Sequence, residues 1–210
     1  MAQLFSLHPT HPQRRLLRRA GHILRGGGLI AYPTDSCYAL GYIQSATSAI
    51  ERLRRIRGVD ERHHLTLMCR DLSEVGAYAI VDDARFRLIK RVTPGSYTFI
   101  LRATRSLPRR LVHPKRKTIG VRVPAHAVAQ ALLAELDEPM LSSTLILPGD
   151  EQPLSEANAI RERLERELEL VIDSGSGGTV PSTLIDLTGD VPVVLRQGKG
   201  SLEPFAVEAV

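Results

Sequence analysis

Tryptophan is absent from this 210-residue sequence, and aromatic residues make up only 4% of it. Proteins that hold single-stranded nucleic acid stack the bases on aromatic side chains, so the composition argues against that class. The two cysteines, Cys37 and Cys69, lie in apolar, strand-like contexts. We expect them to be buried free thiols in a reducing compartment, not part of a disulfide framework.

Long apolar runs are also missing. None approaches the roughly 20 residues that cross a bilayer, and the first residues, MAQLFSLHPTHPQRRLL, lack the apolar region of a signal peptide. We therefore expect a cytoplasmic protein with no membrane partner.

Apolar residues make up 43% of the sequence, which is enough to build a core. The length suits one domain, residues 1–210, with a core at about 14–200. The formal net charge of +5 favours anionic partners such as nucleotide, phosphate or nucleic acid, without choosing among them.

The hydrophobic pattern changes period repeatedly along the chain, which predicts helices and strands in mixed order. This order predicts an α/β fold with a twisted mixed open sheet, parallel and antiparallel. Helices are predicted at 12–25, 45–57, 82–91, 125–136 and 154–167, and strands at 29–32, 65–69, 97–103, 118–123, 140–147, 168–173, 182–187 and 191–196.

A dense polar cluster, YPTDSCYALG at 32–41, follows an apolar strand. Ligands in open α/β folds often bind at such strand ends. A plain turn capped by Asp35 or Ser36 is the alternative, and the local sequence alone favours it.

Basic residues offer further candidates. Arg55 and Arg57 close a helix and could converge on a phosphate, or simply form a solvated face at the helix C-terminus. Arg122 interrupts an apolar strand, which leaves a ligand role and a solvent-facing position both open. The densest basic tract could follow a phosphodiester backbone or be an exposed loop; it contains Arg109, Arg110, Lys115, Arg116 and Lys117.

Other motifs give weaker indications of a functional site. The glycine-rich stretch DSGSGGTVP at 173–181 lacks the Gly-Lys-Ser/Thr of a P-loop, and a flexible flap is its simplest interpretation. His63 and His64 are adjacent, so their side chains diverge, and we expect no metal ligand among the side chains. No set of nucleophile, base and orienting group is evident, so no covalent catalysis is expected.

Several segments, in order, resemble motifs of the YrdC/YciO family of threonylcarbamoyl-AMP synthase-like proteins. They are YPTDSCYALG, RIRG, PGSYTFIL, GVRVPAH, PSTLID and LRQG, while LIKRVTPGSYTFIL and CRDLSE look most similar to the YciO branch. The resemblance implies the YrdC-like fold, with a basic concave face. It also implies a nucleotidyltransferase that joins ATP, L-threonine and bicarbonate into threonylcarbamoyl-adenylate and pyrophosphate, with Mg²⁺ accompanying ATP.

That adenylate is the precursor of N6-threonylcarbamoyladenosine in tRNA, and family members have been linked to double-stranded RNA. The resemblance assigns the threonine side of the site to Thr34, Asp35, Tyr38, Arg122, Ser142 and Ser182. It assigns ATP or AMP to Arg55, Arg57, Thr118, Thr144 and Arg196.

Three positions depart from the family pattern. Arg55 stands where the family has Lys, Ile146 replaces the Asn of a Ser-x-Asn motif, and Met68 lies where synthases often have His. These changes predict weak or altered synthase activity. The alternatives are a non-catalytic protein that binds tRNA or double-stranded RNA through the 109–117 tract, and hydrolysis or transfer on a related adenylate or carbamoyl compound.

Overall fold

The computed structural model describes residues 1–205, and its ten strands form one sheet in the order β1-β8-β2-β3-β7-β4-β6-β5-β9-β10. Neighbouring strands pair both ways, for example β4 with β6 in parallel and β5 with β6 antiparallel, which confirms the predicted mixed α/β sheet. The strands are β1 Gln3–Ser6, β2 Ile30–Tyr32, β3 Ala39–Ile43, β4 Thr66–Met68, β5 Tyr97–Arg102, β6 Thr118–Arg122, β7 Met140–Thr144, β8 Leu170–Asp173, β9 Thr183–Asp186 and β10 Val193–Arg196.

Six α-helices accompany the sheet, and their ends follow local chemistry. Asp71 and Asp82 cap the third and fourth helices through backbone N–H groups of the first turn, and Gly58 ends the second in a left-handed conformation. No helix of residues 1–205 is long and apolar enough to cross a bilayer. The helices are α1 Arg14–Arg25, α2 Thr47–Arg57, α3 Leu72–Tyr78, α4 Asp83–Val92, α5 Ala127–Leu136 and α6 Ala157–Leu164.

Three elements were missed by the sequence pattern: β1, β3 and α3. All five residues of β3 are buried, so this strand shows no alternation of polar and apolar residues. β1 is short and pairs in parallel with β8 from the far end of the chain, a contact that no local pattern reveals. Because Phe5 and Leu7 are buried, the core begins before residue 14.

The register of the central strands places polar side chains in rows on one face of the sheet. Thr66 of β4 lies opposite Gly120 of β6 and Ser142 of β7, and Met68 lies opposite Arg122. Register partners project to the same side of a sheet. This face forms the floor of a cavity.

Candidate functional site

The cavity has a volume of about 310 Å³ and is lined by both polar and apolar residues. Its floor consists of the aligned strand positions described above. Its walls come from the loop at 34–38, the end of α2, the segment at 179–182 and β10. The volume is at the lower end of the range typical of small-molecule sites.

Arg122 is held rigidly at one end of the cavity. Its residue is 6% exposed, and its guanidinium donates to Asp35 Oδ1 at 2.8 Å and to Ser36 Oγ at 2.9 Å. Its buried Nε has no partner among the described residues. Of the two positions that the sequence left open for Arg122, the structure excludes the solvent-facing one, since Arg122 is buried, paired and part of the cavity wall.

Asp35 supports Arg122 and does not itself line the cavity. Its carboxylate also accepts from Ser96 Oγ at 2.6 Å and from the backbone N–H of Ala125 at 3.1 Å. Burial opposes ionisation, but the Arg122 charge and these hydrogen bonds outweigh it and hold the pKa of Asp35 below its usual value. Asp35 is therefore placed to orient Arg122, whereas the sequence suggested a contact with threonine.

The hydroxyls assigned to threonine lie at the cavity but are already bonded. Thr34 Oγ1 donates to the Cys37 carbonyl at 2.7 Å and so shapes the 34–38 loop. Ser142 Oγ accepts from the Tyr32 hydroxyl at 2.8 Å and donates to the Leu40 carbonyl. The Ser182 hydroxyl lies 2.8 Å from that of Thr98.

Two further arginines, Arg57 and Arg196, line the cavity without an ion-pair partner among residues 1–205. Arg57 Nε donates to Ser143 Oγ at 3.2 Å, and its Nη1 donates to the Ile146 carbonyl. Arg196 Nη2 donates to the Ser182 carbonyl at 2.9 Å. Burial and the charge of Arg196 lower the pKa of Arg57 to about 10, and burial also lowers the pKa of Arg196. Arg57 is half-buried and Arg196 is exposed at the cavity rim, and two guanidinium groups without a counter-ion at one cavity favour binding of an anion.

Arg55 does not join them. It is an exposed residue whose Nη2 donates to Glu167 at 2.7 Å, and it lies outside the cavity. Residues two apart on a helix do not share a face, and the partners of Arg57, Ser143 and Ile146, lie elsewhere than Glu167. The predicted convergence of Arg55 and Arg57 is wrong.

Of the other residues predicted to contact nucleotide, Thr144 and Thr118 differ in their distance from the cavity. Thr144 lines the cavity directly. Thr118 is buried behind the wall, where its Oγ1 lies 2.9 Å from His64 Nε2. Thr118 therefore positions His64, which does line the cavity.

The glycine-rich segment is fastened over the cavity instead of projecting as a free flap. The Tyr38 hydroxyl donates to the Gly175 carbonyl at 2.9 Å, and the Gly177 N–H donates to the Ser155 carbonyl at 2.7 Å. A Cβ atom on Gly177 would lie 2.6 Å from the Tyr38 ring. Glycine is needed here for close packing against the 36–38 loop.

The histidines act as neutral wall groups. His64 stacks on His113 with ring centroids 4.6 Å apart, and burial with the neighbouring charges lowers its pKa to about 4. Burial and Arg57 also lower the pKa of His63. The described residues contain no group of three or more His, Cys, Asp or Glu side chains suited to a metal ion.

Both cysteines are buried free thiols. Cys37 lines the cavity, and burial raises the pKa of its thiol. A neutral buried thiol is a poor nucleophile, so Cys37 has the properties of a packing residue.

The basic tract at 109–117 lies outside the cavity. Arg109 and Arg110 form a single turn, and residues 114–117 are an exposed loop. The tract adjoins the cavity through His113, which stacks on His64.

Several lining residues escaped the sequence reasoning, among them Thr66, Thr98 and Gly120. Thr66, Thr98 and Gly120 lie within strands that looked like ordinary buried β structure. The available signal was a small or polar residue at alternate strand positions, which becomes informative only when the strand order is known.

Residues 22–198 match the Sua5/YciO/YrdC family, described as telomere recombination. The uncharacterized protein YciO of Escherichia coli is 53% identical and aligns with 98% of this chain and 100% of its own. Its crystal structure superposes over the same shares of the two chains with a TM-score of 0.95.

Synthases are more distant relatives. Threonylcarbamoyl-AMP synthase of Chromobacterium violaceum is 34% identical and aligns with 85% of this chain and 92% of its own. The crystal structure of Pyrococcus abyssi Sua5 complexed with L-threonine, 28% identical, matches 93% of this chain and 57% of its own with a TM-score of 0.84. The chain belongs to the Sua5/YciO/YrdC family.

Proposed function

We propose that the cavity binds ATP, L-threonine and bicarbonate and produces threonylcarbamoyl-adenylate and pyrophosphate. The observation that carries the proposal is the pair of uncompensated arginines, Arg57 and Arg196, which share one cavity with the fixed guanidinium of Arg122. An amino-acid carboxylate and nucleotide phosphates are the two anionic groups that such an arrangement suits.

The chemistry needs no nucleophile from the protein. The threonine amine attacks the bicarbonate carbon, and water leaves to give a carbamate. A carbamate oxygen then attacks the α-phosphorus of ATP, and pyrophosphate leaves. Because both nucleophiles belong to substrates, the protein contributes positioning and charge stabilisation.

In this proposal Arg122 binds the threonine carboxylate, and Arg57 and Arg196 bind the phosphates. ATP would carry its own Mg²⁺, which would supply neutralisation of charge on the phosphate oxygens beside Arg57 and Arg196. The threonine-bound Sua5 structure and the synthase relatives support the substrate assignment.

We further propose that the activity is weaker than that of the synthases. The side chain of Ile146 offers no amide, and Met68 no imidazole, at two positions on the cavity wall. Loss of one hydrogen bond to nucleotide costs about 1–3 kcal/mol, or roughly tenfold to a hundredfold in affinity or rate.

The test is pyrophosphate release by the purified protein with ATP, Mg²⁺, bicarbonate and each amino acid in turn. We expect release that requires both threonine and bicarbonate and that Arg122→Gln abolishes. Release that persists unchanged without either co-substrate would contradict the proposal.

RNA binding is the second candidate, because none of the basic side chains of the 109–117 tract forms an ion pair among the described residues. A phosphodiester backbone would match these charges. Duplex RNA binding with a steep salt dependence, in a protein that turns over no ATP, would favour this candidate over the synthase.

A further inference from the structure

Thr66 is the free hydroxyl at the middle of the cavity floor. The neighbouring hydroxyls of Thr34, Ser142 and Ser143 are all bonded within the protein. Within residues 1–205 no side-chain hydrogen bond is found for Thr66, which is half-buried and lines the cavity. Its hydroxyl therefore remains available to a ligand.

The strand register fixes where this hydroxyl lies. Thr66 is opposite Gly120, two residues before Arg122 on β6, and opposite Ser142, two residues before Thr144 on β7. At about 3.3 Å per strand residue, each of these steps is about 7 Å. Thr66 thus lies between the Arg122 end of the floor and the Thr144 end, where Arg57 contacts Ser143 and Ile146.

Gly120 keeps the space beside this hydroxyl open. A Cβ atom at position 120 would lie 3.2 Å from Thr66 Oγ1 and 3.0 Å from the Leu65 carbonyl. The backbone N–H of Gly120 is bonded to that same carbonyl. The missing side chain leaves a notch whose exposed polar group is the Thr66 hydroxyl.

Thr144 also has a hydroxyl with no side-chain partner among the described residues, but it lies at the Arg57 end. Along the floor, the row of Thr66, Gly120 and Ser142 lies between Arg122 and the end where Arg57 is bonded, so a ligand that spans these two arginines along the floor passes Thr66. In the proposed reaction, the group between the amino-acid carboxylate and the α-phosphate is the bicarbonate, which becomes the carbamoyl group.

We propose that Thr66 donates a hydrogen bond to the oxygen of bicarbonate, and then of the carbamate, in the notch left by Gly120. This inference rests on the proposed function and adds the residue that binds the carbon-donating substrate. No proton transfer is assigned to Thr66, which acts by positioning.

The test compares the Thr66→Val, Thr66→Ser and Gly120→Ala variants with the wild type in the pyrophosphate-release assay. Valine keeps the shape and removes the hydroxyl, and since that hydroxyl has no protein partner, the thermal stability of the fold is expected to be unchanged. We expect Thr66→Val to raise the KM for bicarbonate about tenfold or more, because a hydrogen bond to an anion is lost. The KM for ATP is expected to change by less than about threefold.

Thr66→Ser restores the hydroxyl and is expected to restore the bicarbonate KM, whereas Gly120→Ala fills the notch and is expected to behave like Thr66→Val. A wild-type bicarbonate KM in Thr66→Val, with an active wild type, overturns the role of Thr66 and leaves the proposed function standing. No pyrophosphate release by the wild type overturns both.

Discussion

The pairing of Asp35 with Arg122 shows how a single buried carboxylate prepares a site for an anion. The Asp35 carboxylate accepts hydrogen bonds from Arg122, Ser96 and the backbone of Ala125, and it holds the Arg122 guanidinium in the cavity wall. Removing one member of a buried pair leaves an uncompensated charge, which costs several kcal/mol.

We therefore expect Asp35→Asn to lower the free energy of unfolding by about 3 kcal/mol in urea titrations at neutral pH. Asp190→Asn, which changes an exposed carboxylate, is the matched control and is expected to cost less than about 0.5 kcal/mol. An equal effect of the two substitutions would show that the Asp35 pair does not stabilise the fold.

The same pair predicts a pH dependence. The pKa of Asp35 is lowered in the folded protein, so its stabilisation is complete above the ordinary value of 3.8 and is lost as the pH falls through the folded pKa. Asparagine does not titrate. The difference in unfolding free energy between wild type and Asp35→Asn should accordingly shrink below about pH 4. A difference that stays constant down to the acid transition would contradict this account.

Two neighbouring arginines provide a direct contrast in ATP binding. Arg57 is half-buried and lines the cavity without a carboxylate partner, while Arg55 pairs with Glu167 at the surface. We expect Arg57→Ala to weaken ATP binding at least tenfold by calorimetry, since a charged hydrogen bond to phosphate is lost. Arg55→Ala is expected to change it by less than about threefold. Equal losses would restore the sequence-based assignment of Arg55 to the nucleotide.

At the scale of elements, the glycine-rich segment after β8 forms part of the cavity wall by packing on the 36–38 loop. A methyl group at position 177 would meet the Tyr38 ring at 2.6 Å and push the segment away. We expect Gly177→Ala to raise the KM for threonine severalfold while the fold remains intact. Gly76→Ala in α3, where an added Cβ meets nothing within 4 Å, is the control and should leave that KM unchanged.

The elements with strong local signals could be predicted from the sequence. Helix α1 shows apolar spacing at Leu17, Ala20 and Leu24, and β5 is rich in β-branched and aromatic residues; both were predicted within two residues of their ends. The missed strands β1 and β3 show no regular alternation of polar and apolar residues. They are recognised as strands only from their pairing with β8 and β7, which lie far away in the sequence. Propensity gives no information on which distant strand will be a neighbour.

The site residues also differ in whether the local sequence could reveal them. Arg122 was identified as a candidate because a charge inside an apolar strand demands a partner, and the partner, Asp35, was in the quoted polar cluster. Thr66 and Gly120 were missed because each is unremarkable in its own strand and becomes part of a site only across the β4–β6 register.

At the scale of the whole molecule, ligands that bind the folded cavity must stabilise the fold by mass action. We expect ATP with Mg²⁺, at about a hundred times its dissociation constant, to add about 2.7 kcal/mol to the free energy of unfolding. With binding at least tenfold weaker, Arg57→Ala should remove about half of this gain or more at the same ATP concentration. An unchanged melting temperature across a full ATP titration would show that the cavity does not bind this nucleotide.

If one cavity joins three substrates, the joined product should contain atoms of all three, and an isotope label on bicarbonate can trace this. The protein would be incubated with ATP, Mg²⁺, threonine and ¹³C-bicarbonate, and the mixture analysed by mass spectrometry. We expect threonylcarbamoyl-adenylate that carries the label, at a level reduced in Thr66→Val and absent in Arg122→Gln. A labelled adenylate that appears equally in the Arg122→Gln variant, or no labelled adenylate from the wild type, would contradict this expectation.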